Sequence, residues 1–272
     1  MDSNGLITST GNALVRFCRG LLSAEGRRTQ ELCLVEGIRP VWQAVEHGAA
    51  IERLIVAPDL LRSEAARQMV ESAARAGVLV TAVSTAVFER IASREHPSGL
   101  AAIVQIPRTD LATLAPDGSD LFVGVDSGGN PGNLGAIMRT AEAVGAQGMI
   151  AIGQGTDPYH PTAIKASMGT VFALRVVQVR SVAEVLRWCE RHGIITIATS
   201  PDATTNHWEG VYRPPCLLLF GSEGAGLSRA EIAACDQSLR IPMAGSADSL
   251  NLAVAAGIML YEVRRSFPGP LR

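Results

Sequence analysis

The runs 121–125, 148–152 and 216–220 contain no charged or strongly polar side chain, and 194–199 adds only threonines to its isoleucines and alanine. Strands that are apolar on both faces cannot leave either face in water. They belong to a sheet covered on two sides, which parallel connections through helices provide. Helix-length stretches at 134–144, 182–192 and 250–265 lie between and after these runs. The second half of the chain is therefore predicted to be an α/β layer with a mostly parallel sheet, with a further strand in 171–179 and a polar loop running through Pro161.

The first half has a looser version of the same alternation. A helix-like stretch at 13–22 precedes a short strand at 32–35, and Glu36-Gly37-Ile38-Arg39-Pro40 turns into a helix ending near Gly48. A mostly apolar strand at 51–57, an Ala/Arg/Glu-rich helix at 63–76 closed by Gly77, and a strand at 78–83 follow,. The pattern then breaks into Pro107-Arg108-Thr109-Asp110 and Pro116-Asp117-Gly118-Ser119, a turn-rich stretch,. This divides the chain into a small α/β domain at 1–105, a linker at 106–119 and a larger domain at 120–272. No internal repeat or low-complexity segment is present.

Several function classes are excluded early. No apolar run approaches the roughly 20 residues that span a bilayer, and Met1-Asp2-Ser3-Asn4-Gly5 lacks the basic-then-apolar order of a signal peptide,. A cytoplasmic protein with no membrane partner is expected. The five cysteines, Cys18, Cys33, Cys189, Cys216 and Cys235, are far apart, form no C-x-x-C pair and have no histidine at ligand spacing. They are expected to be reduced structural thiols, with no metal site. A formal net charge of −2 is wrong for a protein that coats nucleic acid nonspecifically, so any RNA contact has to be local,. Lys165 is the only lysine; arginine carries the rest of the positive charge.

Three segments have the composition of a site. Asp126-Ser127-Gly128-Gly129-Asn130-Pro131-Gly132-Asn133 joins a strand to a helix that carries Arg139 six residues later. Free backbone N–H groups at such a helix start suit an anion or cofactor, and a tight turn needing glycine explains the glycines equally well. Phe220-Gly221-Ser222-Glu223-Gly224-Ala225-Gly226-Leu227 places one carboxylate among three glycines directly after a buried strand, with Ser228 as a helix cap,. Ile241-Pro242-Met243-Ala244-Gly245 leads to Ser249-Leu250-Asn251. Ser249 reads as the cap of the last helix. Asn251 then falls in the first turn, a poor place for asparagine unless its side chain has a task.

In this order the three segments resemble the signature motifs of the SpoU (TrmH-like) RNA 2′-O-ribose methyltransferase family of the SPOUT superfamily: N-x-G-x-x-x-R-T, F-G-S-E-G-x-G-L, and I-P-M-x-G with S-L-N. Lys165-Ala166-Ser167-Met168-Gly169 also looks like a family segment, although Arg175 stands where relatives often carry proline. Asn12, Arg27, Val35-Glu36-Gly37 and Pro97-Ser98-Gly99-Leu100-Ala101 resemble the family's substrate-binding extension.

The resemblance implies an α/β sheet whose C-terminal part forms a trefoil knot, with a small ribosomal-protein-like RNA-binding domain in front. It implies a homodimer that binds S-adenosylmethionine and methylates a ribose 2′-hydroxyl in ribosomal RNA (23S foremost) or transfer RNA. Carried over by position, Gly221, Ile241 and Leu250 would hold the donor, and Asn133, Arg139, Glu223, Ser249 and Asn251 would form the catalytic group. Arg16, Arg19, Arg27, Arg28 and Arg39 are candidates for RNA phosphate contacts, though scattered arginines are as often solvated surface. A guanidinium is a poor proton acceptor, so Arg139 is expected to bind phosphate and developing negative charge, with the base left open.

The resemblance is compatible with housekeeping modification and with protection against a ribosome-targeting antibiotic. Two other readings compete with it. A nicotinamide-dependent oxidoreductase would need the G-x-G-x-x-G fingerprint and a placed acidic residue, which are missing. A noncatalytic RNA-binding protein on a decayed scaffold is disfavoured by the intact Asn133, Arg139, Glu223 and Asn251.

Overall fold

The computed structural model describes residues 5–93, 96–126, 129–153 and 157–267. Ser127 and Gly128 of the first glycine-rich turn lie outside the described residues. Two compact units are present. The first takes in the chain up to Pro107 together with Tyr159–Ala173; the second takes in Arg108–Pro158 and the chain from Leu174 onward.

The first unit contains α1 (Ala13–Gly20), α2 (Ala24–Gln30), β1 (Leu32–Glu36), α3 (Ile38–Glu46), β2 (Ile51–Val56), α4 (Glu64–Arg75), β3 (Leu79–Ala82), α5 (Thr85–Ile91) and β4 (Leu100–Gln105). The sheet order is β1-β4-β2-β3, with β4 antiparallel to both neighbours and β2 parallel to β3. Serine starts three of these helices: the hydroxyls of Ser23, Ser63 and Ser84 accept from the backbone N–H of Gly26, Ala66 and Val87,. Val15, Cys18 and Leu21 meet Leu34, Ile55, Phe88 and Ile103 in one apolar cluster.

Arg27 corrects its assignment as an RNA contact. It is 2% exposed, and its Nη1 donates to the carbonyl oxygens of Leu21 at 2.9 Å and Leu22 at 2.8 Å. The guanidinium satisfies the end of α1 from inside the unit, so it belongs to the fold.

The second unit runs β5 (Leu121–Asp126), α6 (Pro131–Ala143) and β6 (Gly148–Ile152). The next helix, α7 (Pro161–Ala166), belongs to the first unit, where it packs on β1, and the turn Thr170–Phe172 packs on α3. Gly169 is required there: its φ is +89°, and a Cβ would lie 2.7 Å from the Cα of Pro40,. The second unit resumes with β7 (Arg175–Val179), α8 (Val182–His192), β8 (Ile195–Thr199), β9 (Thr205–Asn206), β10 (Cys216–Phe220), α9 (Arg229–Ala233), β11 (Gln237–Arg240) and α10 (Leu252–Ser266). Its seven strands lie in the order β7-β6-β5-β10-β8-β11-β9, and every neighbouring pair is parallel.

The expected mostly parallel sheet is present, and its apolar strands are buried: β6 and β10 have no residue with an exposed side chain. On one face Trp188 of α8 meets Phe122 edge-on, with ring centroids 5.1 Å apart,. Leu111 and Leu114, from the turn-rich stretch expected to be a linker, enter the same cluster. Elsewhere α10 packs against α6 and β10. Short elements with little apolar signal, α2, α5, α7, α9, β9 and β11, extend the sequence reading, and β4 adds a strand just ahead of the turn-rich stretch.

Removing the Arg27 side chain strands two carbonyl groups and leaves a void, which together are worth about 3 kcal/mol. Arg27→Ala is expected to lower unfolding stability by about that amount in urea titration, and an unchanged midpoint would show the residue to be dispensable.

Candidate functional site

In a parallel sheet the C-terminal ends of the strands share one edge, and the loops leaving them meet there. The loops after β8, β10 and β11 surround a cavity of about 590 Å3. Gly221, Glu223, Ile241, Ser249, Leu250 and Asn251, all expected as site residues, line it. Met243 of the third motif lines it as well, and so do Thr199, Asp202 and Asp248, which were not singled out from the sequence. Their signal was positional: each follows or ends a strand, or flanks a motif already recognised.

Gly221 is held by close approach of backbone to backbone. A Cβ there would lie 2.1 Å from the carbonyl carbon of Gly226 and 2.3 Å from the nitrogen of Leu227. The loop closes on itself through the Gly226 N–H, which donates to the Ser222 carbonyl at 3.0 Å, and the Ala225 N–H, which donates to the Ser222 hydroxyl at 3.2 Å. Leu227 then turns into the core, and Ser228 caps α9 in a reciprocal box with Glu231,. The expected capping role of Ser228 is met.

The roles of Ser249 and Asn251 differ from the expectation. Asn251 is the cap of α10: its Oδ1 accepts from the backbone N–H of Ala253 at 3.0 Å and of Val254 at 3.3 Å. Asparagine is favoured at that position, so its presence there needs no special task. Ser249 lies two residues earlier on the cavity wall. The task exists all the same, because the Asn251 Nδ2 donates to Asn133 Oδ1 at 3.2 Å, and Asn133 Nδ2 donates to Glu223 Oε1. One residue from each motif thus enters a single hydrogen-bonded chain.

Arg139 does not join it. Asn133 is the third residue of α6, and six residues further along a helix is a rotation of about 120° and a rise of about 9 Å,. Arg139 is exposed and does not line the cavity. In the first unit Arg16, Arg19, Arg28 and Arg39 are exposed on α1, α2 and α3, whereas Arg27 is buried. The Nη1 of Arg19 donates to the Arg90 carbonyl at 3.5 Å.

Burial pushes the thiols of Cys18, Cys189 and Cys216 up to about 12 and that of Cys235 to about 11, so none is a thiolate nucleophile near neutral pH,. None of the five cysteines is in a disulfide. Among the described residues no group of three or more His, Cys, Asp or Glu could hold a metal ion, and no helix is long and apolar enough to cross a membrane.

Comparison with known proteins agrees with this geometry. Residues 120–261 match the SpoU rRNA Methylase family, and residues 12–102 match an MRM3-like substrate binding domain. A 23S rRNA (uridine(2479)-2′-O)-methyltransferase from Streptomyces viridochromogenes is 35% identical over 260 residues, covering 93% of this chain and 90% of the relative. The solved structure of the SpoU methyltransferase AviRb from that organism, in complex with AdoMet, superposes with a TM-score of 0.85 at 34% identity, covering 94% of this chain and 98% of that one. An AdoMet-bound rRNA methyltransferase from Sinorhizobium meliloti gives a TM-score of 0.88 at 33% identity, covering 97% and 99%. With Asn133, Glu223 and Asn251 joined at one end of a parallel sheet and a family match over residues 120–261, the chain belongs to the SpoU rRNA methylase family.

Proposed function

We propose that the protein transfers a methyl group from S-adenosylmethionine to a ribose 2′-hydroxyl of ribosomal RNA, 23S rRNA foremost, with transfer RNA as the other candidate substrate, and that it does so in the cytoplasm. The observation that carries this reading is the hydrogen-bonded chain of Asn251, Asn133 and Glu223 beside a cavity lined by Gly221, Ile241 and Leu250. A volume of about 590 Å3 lies within the range of small-molecule sites, and the mix of glycine-loop backbone with Phe220, Leu239 and Met259 suits a flat heterocycle gripped by main-chain groups,. The residues present therefore fit the donor.

The donor supplies an electrophilic methyl group on a sulfonium sulfur. The chain's part is to hold the ribose oxygen in line with that methyl, since orientation alone supplies much of the acceleration in such a displacement. Gly221, Ile241 and Leu250 bind and orient the donor; Glu223 and Ser249 present polar groups at the cavity wall. Arg139 binds the acceptor phosphate and stabilises negative charge as the hydroxyl loses its proton. Its exposed position, outside its own chain's cavity, supports a dimer in which it serves the second copy.

The same dimer accounts for α10. Val254, Ile258 and Tyr261 are exposed apolar residues at a helical spacing, and Gly257 lies on the same stripe. A Cβ at Gly257 would meet nothing within 4 Å, so nothing among the described residues calls for a mid-helix glycine that costs about 1 kcal/mol relative to alanine,. Close approach of a second α10 does call for it. The trefoil knot is also part of this proposal: β10 lies between β5 and β8, the chain then crosses to β11, and α10 returns against α6 and β10,. Residues 1–105 are proposed as the RNA-binding part, contacting phosphates through Arg16, Arg19, Arg28 and Arg39, with 106–119 as the join and 120–272 as the catalytic part.

Three outcomes are expected. With S-adenosylmethionine and total RNA, the protein should produce 2′-O-methylated nucleotides in ribosomal or transfer RNA, and Arg139→Ala should abolish this while donor affinity by calorimetry stays unchanged; normal turnover in the variant would refute its role. Replacing Arg16, Arg19, Arg28 and Arg39 together by alanine should weaken 23S rRNA binding at least tenfold and flatten its salt dependence by about one unit of slope for each phosphate no longer neutralised, with donor binding intact. Gly257→Leu should convert the dimer to a folded monomer in sedimentation velocity, and a wild-type-sized dimer would exclude α10 as the interface.

A further inference from the structure

The three-residue chain beside the cavity has a direction. The Oδ1 of Asn251 accepts two backbone N–H groups, from Ala253 and Val254, so the oxygen is committed to the start of α10. Its Nδ2 must therefore face away from the helix, where it donates to Asn133 Oδ1 at 3.2 Å. An amide that receives on its oxygen offers its nitrogen at the other end, and the group there is Glu223 Oε1, which as a carboxylate can only accept,. Each donor meets an acceptor; reversing the Asn133 amide breaks two bonds, and reversing the Asn251 amide breaks three.

We infer that Asn251 and Asn133 are positioning residues whose amides transmit a fixed hydrogen-bond polarity from the N-terminus of α10 to the Glu223 carboxylate, and so set its place at the cavity wall. The inference rests on the reading of that cavity as the donor site. It separates the grouped motif residues by role: Asn133 does not line the cavity, Asn251 has its oxygen turned into a helix end, and Glu223 alone of the three presents a charge there. The electrostatics point the same way, because the start of a fifteen-residue helix carries partial positive charge that favours a carboxylate at the end of the relay,.

Asn251→Asp isolates the polarity. Aspartate caps a helix as well as asparagine does and suits its positive end, so α10 keeps its start. What aspartate cannot do is donate to Asn133 Oδ1. The Asn133 amide then has to turn its nitrogen toward residue 251, which points its oxygen at the Glu223 carboxylate with no proton between them. S-adenosylmethionine affinity, measured by calorimetry, is expected to fall about tenfold in Asn251→Asp. Simple charge attraction predicts the opposite sign, since a new carboxylate beside the cavity should tighten a cationic donor.

Glu223→Gln supplies the complementary test. With glutamine at 223 the relay runs in reverse: aspartate accepts from Asn133 Nδ2, and Asn133 Oδ1 accepts from the glutamine amide. Asn251→Asp is therefore expected to cost no more than about twofold in donor affinity when introduced into Glu223→Gln. Equal losses in both backgrounds, or wild-type affinity in Asn251→Asp, would overturn the inference. Failure of the unmodified protein to bind S-adenosylmethionine would refute the donor-site reading instead. In that event the same pair of variants decides the relay through the thermal unfolding midpoint, which Asn251→Asp should lower only while Glu223 is present, and a midpoint lowered equally in both backgrounds would overturn it.

Discussion

The cavity depends on one approach of backbone to backbone: the Cα of Gly221 against the peptide joining Gly226 to Leu227. A side chain at 221 would force these segments apart, and with them the loop that carries Glu223. That close approach turns the chain leaving β10 back upon itself before Leu227 enters the core. It brings Glu223 within reach of Asn133, and through it of Asn251, which arrive on two other elements. Gly221 is thus a packing requirement first, Gly226 answers a φ of +66°, and the ligand-facing surface follows from both,.

The relay among these residues illustrates how a helix end can serve a site. The cap of α10 stabilises the helix and orients an amide at once, since both lone pairs of its oxygen are committed to backbone N–H groups. Fold stability and site geometry then draw on the same atoms. A substitution that preserves the cap while removing the outward N–H separates the two, which deletion of the side chain cannot.

Much of the second unit is legible in the sequence because β5, β6, β8 and β10 are apolar on both faces, a pattern that only a two-sided cover explains. The motif residues are legible through order and spacing. The exchange of roles between Ser249 and Asn251 is not, because both residue types cap helices and the apolar periodicity of α10 has no sharp start. The separation of Arg139 from Asn133 is available in principle, since six residues along a helix do not share a face. Arg27 escapes a sequence reading because exposure is invisible in composition: an arginine that binds two internal carbonyls looks the same in sequence as one that meets solvent. The four-residue β11 escapes it because Gln237, Ser238 and Arg240 surround a single buried Leu239.

The segment Tyr159–Ala173, which packs with the first unit although it follows β6 of the second, bears on how the protein is made. A ribosome releases the chain in order, so the strand β1 and helix α3 emerge long before the segment that covers them. The first unit can collapse early, yet it acquires Tyr159, Ala163, Ile164 and Val171 of its interior only after the opening strands of the second have been synthesised. Its completion is thus tied to progress through the second unit, and the order of folding is not the order of the two units along the chain.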